Sequence, residues 1–308
     1  MRLIAGGYRA VFKKFMAWIV KSGGILNVNQ FDAAFLDRYA KYLEKLGRAP
    51  KTQSNHLTTL KQWISWLIEA GHLVGCAPIK LKVIKVESQR AYCYRPVEVK
   101  AILEHCRKDT ELRWLADVVT ALACSGVRIG ELLDLKWSDI DFDTQLITLA
   151  EESGHRVTGQ ARRTLKSSRS RSLPIHPDLL LVLQRLAKTS GYVFPGPSGG
   201  RLQASEVRNT LLERVLKPLV KEFPANGGGQ SFIEGRPHSF RHYFISMCAN
   251  KGVPERVVME WVGHADSAIV RHYYHLHDEE SRRQMHSLDL VGNGVAGCSS
   301  GKKSEVPN

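Results

Sequence analysis

Several features that define other protein classes are missing from this sequence of 308 residues. Its six cysteines form no C-x-x-C pair and several stand among apolar residues, so we expect reduced thiols in a cytosolic protein and no zinc site. The longest apolar run near the N-terminus, residues 15–20, is too short to span a bilayer or to form a secretion signal. No internal repeat and no Walker-type phosphate loop are visible.

Positive charge is what the chain has in excess. The net charge is +14 and the isoelectric point is near 9.6, in a composition that is otherwise ordinary for a globular protein. Residues 1–90 hold 15 lysines and arginines against five aspartates and glutamates, a net charge of +10, so only +4 remains for the other 218 residues. This excess indicates a polyanionic partner, either nucleic acid or an acidic membrane face, although a merely well-solvated surface gives the same count.

The first 75 residues read as a small helical bundle. Apolar residues recur at three- and four-residue steps over about 8–20, 31–46 and 51–70, and Gly47 and Gly71 end the second and third helices. Within this domain, Trp63 and Trp66 are predicted to belong to the core rather than to stack on bases. Residues 76–95 alternate apolar with basic residues and are predicted to form a basic interdomain linker, with an isolated strand as the alternative.

Residues 96–288 are predicted to form a second domain that is mainly helical with a small antiparallel sheet. Helices are expected at about 96–107, 111–124, 177–188 and 205–221. Two strands around an Asp-Thr turn at 140–149, with a third strand near 172–175, would make the sheet. The run 227–229 of three glycines reads as a flexible connection, and residues 289–308 are expected to be disordered.

Three short motifs carry the residues that suggest chemistry. Arg128 stands between Gly126 and Gly130, which permit a sharp backbone bend, and His238 and Arg241 form an H-x-x-R pair at helical spacing. A third motif, residues 261–275, contains a Gly-His turn at His264, a helix start at Asp266 or Ser267 and, nine residues after the histidine, Tyr273. With 12 histidines and 24 arginines in the chain, about one H-x-x-R arises by chance. The ordered set is therefore more informative than any one motif.

In their order and local contexts, these residues resemble the tyrosine recombinase (phage integrase) family. The six are Arg128, Lys166, His238, Arg241, His264 and Tyr273. The likeness is strong over roughly residues 95–285 and weaker, though compatible, over the first 85. It implies an N-terminal helical core-binding (SAM-like) domain and a catalytic domain of the tyrosine recombinase type, which clamp duplex DNA between them.

The resemblance implies a role for each residue. Arg128 and Arg241 would hold the non-bridging phosphate oxygens, with His238 beside them at a helix start and His264 near the phosphate. Tyr273 would attack phosphorus to give a 3′-phosphotyrosyl enzyme, and Lys166 would protonate the leaving 5′ oxygen. Glu131 matches an acidic position that orients its neighbours. The cleaved strand's energy would be conserved in the phosphotyrosyl bond, so neither metal nor ATP is expected.

Several of these residues also have a non-catalytic interpretation. His238 could be a capping or core histidine, Lys166 a surface lysine, and Glu131 a surface carboxylate. Tyr274 competes with Tyr273 as the nucleophile, and the family spacing favours Tyr273.

Two further groups of basic residues allow other interpretations. Arg162, Arg163, Arg169 and Arg171 could simply track phosphates, and the crowding of His242, His272, His275 and His277 suggests a metal, although their spacing does not fit a four-ligand site.

The expected partners follow from the same resemblance. They are double-stranded DNA with a specific recombination site, three further copies in a homotetramer on DNA, with a monomer when free, and directionality or accessory proteins. The segment 278–288 is the candidate for packing on a neighbouring copy. The expected location is the cytoplasm, at the bacterial nucleoid when bound to DNA. The chain would lack the arm-binding domain of larger integrases. A type IB topoisomerase-like enzyme and a DNA-binding protein that does not cleave are the rivals.

Overall fold

The computed structural model describes six stretches of the chain: residues 2–22, 32–73, 92–150, 170–186, 191–224 and 230–263. The chain divides into two compact units, Met1–Arg90 and Ala91–Asn308. Several sequence predictions fall outside the described residues. These concern most of the linker, Lys166, the glycine run 227–229, His264, the helix start at 266–267, Tyr273, segment 278–288 and the tail.

The first unit consists of helices whose starts are set by local sequence. Helix α1 is Arg2–Lys21, α2 is Ala33–Lys45 and α3 is Pro50–Glu69. Asp32 caps α2, because its Oδ1 accepts a hydrogen bond of 2.6 Å from the Phe35 backbone N–H. Pro50 occupies the first turn of α3, where its missing N–H costs nothing.

Aromatic rings fill the core of the first unit. Phe15 and Tyr39 are fully buried and meet edge to face, with ring centroids 4.9 Å apart, and Trp18 packs on both. The prediction for the other two tryptophans is half right. Trp63 is half-buried against Phe12, but Trp66 is 54% exposed, because it points off the apolar stripe of α3.

The second unit holds the remaining elements. Its α-helices are α4 (Pro96–Lys108), α5 (Arg113–Ser125), α6 (Ile129–Leu133), α7 (Pro177–Leu186), α8 (Ala204–Thr210), α9 (Lys217–Leu219), α10 (Pro237–Asn250) and α11 (Glu255–Val262). A π-helix, Leu211–Leu216, joins α8 to α9, and 3₁₀ turns occur at Thr110–Leu112, Trp137–Asp139 and Phe232–Glu234.

The strands form one antiparallel sheet of order β1-β2-β3, comprising Ile140–Asp141, Leu146–Leu149 and Arg171–Pro174. The β1–β2 turn contains the predicted Asp-Thr pair, Asp143 and Thr144. The backbone N–H groups of both residues donate hydrogen bonds to Asp141 Oδ1. Leu149 pairs with Arg171 in the register. Along β3, Arg171 and Leu173 are buried while the residues between and after them are exposed. Arg171 therefore lies on the face of the sheet that faces the core.

Helix α5 is the centre of this unit. Ten of its 13 residues are buried, and α4, α7 and α10 pack around it. Tyr94, within the segment predicted as linker, is 2% exposed and belongs to the same core, in contact with Phe232 and Phe240. The predicted fold class, mainly α with a small antiparallel sheet, is confirmed. None of the described helices combines the length and the apolar character that crossing a membrane requires.

Candidate active site

The turn between α5 and α6 places Arg128. Gly126 ends α5 in the left-handed conformation with φ of 61°, which a side chain would strain. Gly130, in contrast, lies inside α6 and makes no bend. Val127 is buried in the core, so the next residue, Arg128, begins α6 from a fixed position with its side chain 22% exposed.

Glu131 is a buried carboxylate and not a surface one, since it is 7% exposed. Its Oε2 accepts a hydrogen bond of 3.0 Å from the Arg128 backbone N–H, and its Oε1 accepts one of 2.9 Å from Arg128 Nη1. Burial by itself raises the pKa of Glu131, but hydrogen bonds and charge from Arg171, then from Arg128, outweigh burial and lower the pKa. The carboxylate thus stays ionised and holds Arg128 in place.

Arg241 extends from α10 into the interior of the unit. Pro237 starts this helix, and Arg241, one turn further along, is 1% exposed. Its Nη1 donates to the Gly126 carbonyl oxygen and its Nη2 to the Val262 carbonyl oxygen, each at 2.7 Å. Arg241 therefore joins the α5–α6 turn to the end of α11.

The C-terminal end of α11 receives three arginines from three different elements. Arg171 Nε donates to the Trp261 carbonyl oxygen at 2.9 Å, Arg241 Nη2 to that of Val262, and Arg128 Nη2 to that of Gly263 at 3.3 Å. The last carbonyls of a helix lack intrahelical partners and carry the negative end of its dipole, so guanidinium groups stabilise them. These residues, with Glu131, define what we call the arginine cluster: Arg128, Glu131, Arg171 and Arg241.

Positive charge dominates the arginine cluster, with three guanidinium groups against one carboxylate. Burial, and then the charge of Arg128, lower the pKa of Arg241 to about 9, so its guanidinium is still protonated at neutral pH. The buried Nε of Arg241 has no hydrogen-bond partner among the described residues. A surplus of charge and an unused donor together favour the binding of an anion.

His238 lies at the second position of α10 and is exposed, unlike Arg241 three residues later. Its ring packs edge to face on the buried ring of His242, with centroids 4.9 Å apart. His238 is thus neither a core histidine nor in the buried layer of the arginine cluster. It stands at the solvent side of the helix start.

Three of the predicted site residues, Lys166, His264 and Tyr273, lie outside the described residues. Their convergence on Arg128 and Arg241 stays a prediction. The described chain stops at Gly263, whose φ of 63° ends α11 immediately before His264. The arginine cluster therefore surrounds the backbone that leads into the Gly-His motif.

Arg171 is a member of the cluster that the sequence did not single out. It was grouped with three neighbouring arginines as a side chain that tracks phosphates, whereas its side chain is 5% exposed and holds Glu131. The signal was present in the period-two pattern of β3, where Arg171 shares a face with Leu173. A basic residue on the core face of a strand must find a buried partner.

A possible metal-binding group lies elsewhere in the second unit. Within the residues that the structure describes, Cys124, His176 and Asp178 are the group whose ligand atoms lie within 4.8 Å of one another. None of them belongs to the predicted site. Burial, and then the charge of Asp178, raise the pKa of Cys124 to about 12, so its thiol is protonated at neutral pH.

Most of the second unit matches a known protein family. The model of the phage integrase family matches residues 94–280. The chain therefore belongs to that family. Its members are tyrosine recombinases, so the protein is an enzyme of the site-specific recombinase class, as the sequence predicted.

Relatives and solved structures agree. Tyrosine recombinase XerC of Xanthomonas campestris pv. campestris is 25% identical over 276 residues, which cover 87% of this chain and 77% of the relative. XerC of Xylella fastidiosa is 26% identical, with 87% and 84% covered. The Tn1549 transposon integrase in complex with transposon right end DNA has a TM-score of 0.69 at 18% identity, with 90% and 92% covered. A lambda integrase dimer bound to a COC′ core site has a TM-score of 0.63 at 15% identity, with 89% and 72% covered.

Proposed function

We propose that this recombinase cleaves and rejoins DNA strands at a specific site through a 3′-phosphotyrosyl intermediate, without metal or ATP. The observation that carries the proposal is the arginine cluster, in which three positively charged guanidinium groups face a single negatively charged carboxylate. A phosphodiester supplies the missing negative charge, and its two non-bridging oxygens match the planar fork of an arginine.

Arg128 and Arg241 take the phosphate in this proposal. Each of their terminal nitrogens carries two N–H groups, and the bonds to Glu131, Gly126, Val262 and Gly263 use one apiece. The remaining N–H groups are available for phosphate oxygens, and Arg128, 22% exposed, is the more accessible of the two. Fixed guanidinium groups would stabilise the extra charge of the pentacoordinate transition state.

The covalent step uses residues beyond the described ranges. The Tyr273 oxygen would form a bond to phosphorus while the bond from phosphorus to the 5′ oxygen breaks, and Lys166 would give that oxygen its proton. A phenol has an unperturbed pKa of about 10, so its proton must be removed or offset, a role that we assign to the imidazoles of His238 and His264. Rejoining reverses each transfer, with a 5′ hydroxyl as the attacking group.

Duplex DNA is the partner that best fits the charge of the chain. The excess of +10 in residues 1–90 would provide sequence-independent contacts to phosphates, and the Tn1549 and lambda integrase structures were solved with DNA. We further propose exchange within a homotetramer on DNA, cytoplasmic location and accessory proteins that set direction. The segment 278–288 would make the contact between copies.

A covalent trapping experiment tests the proposal. The protein is incubated with fragmented genomic DNA from its source cell, and the fragments that become covalently attached in sodium dodecyl sulfate are sequenced. The enriched sequence is then made as a nicked suicide duplex. We expect an adduct with the wild type and with Tyr274→Phe, and none with Tyr273→Phe, although Tyr273→Phe still binds. Binding without any adduct in the wild type would favour the non-cleaving DNA-binding protein.

The arginines allow a second test on the same duplex. Arg128→Ala should abolish cleavage and leave affinity for the duplex within a few fold, because the remaining contacts to DNA lie elsewhere. Arg241→Ala is a less clean probe than Arg128→Ala, since Arg241 is 1% exposed and holds two carbonyls. Its loss also destabilises the fold. A parallel loss of binding and cleavage in Arg128→Ala would contradict the proposed role.

A further inference from the structure

Arg171 is the basic residue of β3, its side chain is buried, and its bonds lead to two different parts of the site. Its Nη2 donates to Glu131 Oε2 at 2.6 Å, and its Nε donates to the Trp261 carbonyl oxygen at 2.9 Å. The side chains of Arg171 and Glu131 are 5% and 7% exposed. A buried, charge-assisted pair of this kind has one geometry, because neither partner can turn to solvent.

Through Glu131, Arg171 reaches Arg128. The carboxylate divides its oxygens between them: Oε2 accepts from Arg171 Nη2, and Oε1 accepts from Arg128 Nη1 at 2.9 Å. The orientation of the carboxylate plane is therefore fixed from the β3 side. Arg128 takes its own orientation from that plane.

Through α11, Arg171 reaches the second support of Arg128. Arg128 Nη2 donates to the Gly263 carbonyl oxygen, two residues after the Trp261 carbonyl that Arg171 holds. Gly263 makes this approach possible, because a Cβ at that position would lie 2.7 Å from Arg171 Nη1. Of the two groups that contact the Arg128 guanidinium, Arg171 therefore holds Glu131 directly and holds the end of α11 two residues before the other, the Gly263 carbonyl.

We propose that Arg171 is a positioning residue for strand cleavage, which fixes Glu131 and the end of α11 relative to each other so that the Arg128 guanidinium faces the scissile phosphate in one orientation. The inference rests on the proposed function. It corrects the sequence-based interpretation of Arg171 as a phosphate contact, since a side chain 5% exposed cannot track a DNA backbone. Lysine cannot replace it, because one ammonium group lacks the fork that spans a carboxylate and a carbonyl.

The charge of Glu131 gives a readout that a purely structural role would not move. Among the residues that the structure describes, the charged groups that face this carboxylate are Arg128 from the start of α6, Arg171 from β3 and Arg241 from α10. Without Arg171, burial raises the pKa of Glu131 with less opposition. A protonated Glu131 no longer holds Arg128 by a charge-assisted bond. As the pH is lowered, the cleavage rate of a variant that lacks Arg171 should therefore begin to decrease at a higher pH than the cleavage rate of the wild type.

The experiment compares Arg171→Lys with Arg185→Lys in the full-length protein, on the nicked suicide duplex identified by trapping. Arg185 pairs with Asp117 outside the arginine cluster and is the matched control. We expect Arg171→Lys to lower the single-turnover cleavage rate by about 10- to 100-fold, the scale of an ångström-sized misplacement. Affinity for the duplex should stay within about threefold, and the acid limb of the pH profile should move upward. Arg185→Lys should match the wild type.

Each other outcome has a defined meaning. Wild-type cleavage and pH profile in Arg171→Lys overturn the inference and leave the proposed function standing. A loss of affinity equal to the loss of cleavage also overturns it, because Arg171 is then a DNA contact. If the wild type and Arg185→Lys form no adduct, the proposed function itself fails.

A second variant covers the case in which Arg171→Lys melts below the assay temperature. Glu131→Gln leaves Arg171 in place but removes the charge that links it to Arg128. The inference expects slower cleavage with binding retained. Unchanged cleavage in Glu131→Gln would overturn it.

Discussion

The Arg241 guanidinium donates a 2.7 Å hydrogen bond to the carbonyl oxygen of Gly126, a residue 115 positions earlier in the chain. The acceptor stands in the left-handed turn that ends α5, and the donor is almost fully buried. The conformation of one glycine thus determines where a buried arginine finds its acceptor, which makes the turn as important to the site as the side chains are.

Gly126→Ala should destabilise the second unit by about 2–4 kcal/mol. The left-handed backbone costs about 1 kcal/mol for a residue with a Cβ, and that Cβ would lie 2.3 Å from Cδ1 of Phe244, which must then shift. Urea denaturation measures the loss. Gly130→Ala is the matched control, since Gly130 is helical with nothing within 4 Å of an added Cβ. It should be neutral or stabilise by up to about 1 kcal/mol, and equal losses in the two variants would contradict the argument.

Tyr94→Phe should be neutral or stabilising. The Tyr94 hydroxyl is buried and has no hydrogen-bond partner among the described residues. Its removal therefore also removes the free-energy cost of burying a polar group without a hydrogen bond. Tyr92→Phe is the comparison, because the Tyr92 hydroxyl donates to Glu98 Oε1 at 2.6 Å, and its loss should cost about 1.5–3 kcal/mol. Thermal unfolding of both variants distinguishes the two cases. A larger loss for Tyr94→Phe than for Tyr92→Phe would show that the hydroxyl has a partner.

Trp63→Ala should cost about 2–4 kcal/mol and Trp66→Ala less than about 1 kcal/mol. Trp63 packs edge to face on Phe12 with centroids 4.9 Å apart, whereas Trp66 is 54% exposed. Chemical denaturation followed by far-ultraviolet circular dichroism checks the difference. If both substitutions destabilise equally, the sequence-based prediction of two core tryptophans was right after all.

The first unit should lose stability as the pH falls below about 6.5, the unfolded pKa of a histidine. Burial, then the charges of Lys14 and Arg48, lower the pKa of His56, whose Nδ1 is hydrogen-bonded to the Tyr39 hydroxyl at 2.9 Å. A histidine with a lowered folded pKa stabilises the fold above its unfolded pKa of about 6.5, and this stability is lost as the pH falls toward the folded pKa.

Hydrogen exchange of α2 amides in the full-length protein measures this pH dependence for the first unit separately. His56→Gln should flatten the dependence, while His72→Gln, at an exposed position near Trp66, should leave it intact. A profile for His56→Gln that still falls with pH would assign the effect to another group.

The spacing of apolar residues, together with prolines and glycines at helix ends, predicted most of the fold. Pro50, Pro96 and Pro237 start helices where expected, because proline tolerates the first helical turn. The approximate ends of α2 and α3 followed from Gly47 and Gly71. The exposure of Trp66 was missed, because a residue at the edge of an apolar stripe can turn either way and tertiary packing decides.

The sequence predicted three members of the arginine cluster, Arg128, Glu131 and Arg241, but not the bonds between them. Arg128 and Arg241 were found by motif, yet no motif indicates that each donates to a carbonyl at the end of α11. Arg171 was assigned to the wrong role because a cluster of arginines in sequence suggests a solvent-facing surface. The period-two pattern of β3 and its pairing with β2 place the side chain toward the core.

The grip of three arginines on the end of α11 has a consequence for biosynthesis. Residues 128, 171 and 241 leave the ribosome before residues 261–263, so the nascent chain holds all the cations before it holds their shared acceptors. The guanidinium groups cannot take their final directions until α11 has been translated and has docked. A truncated translation product that ends before α11 would therefore lack the ordered arginine cluster on which the proposed phosphate binding depends.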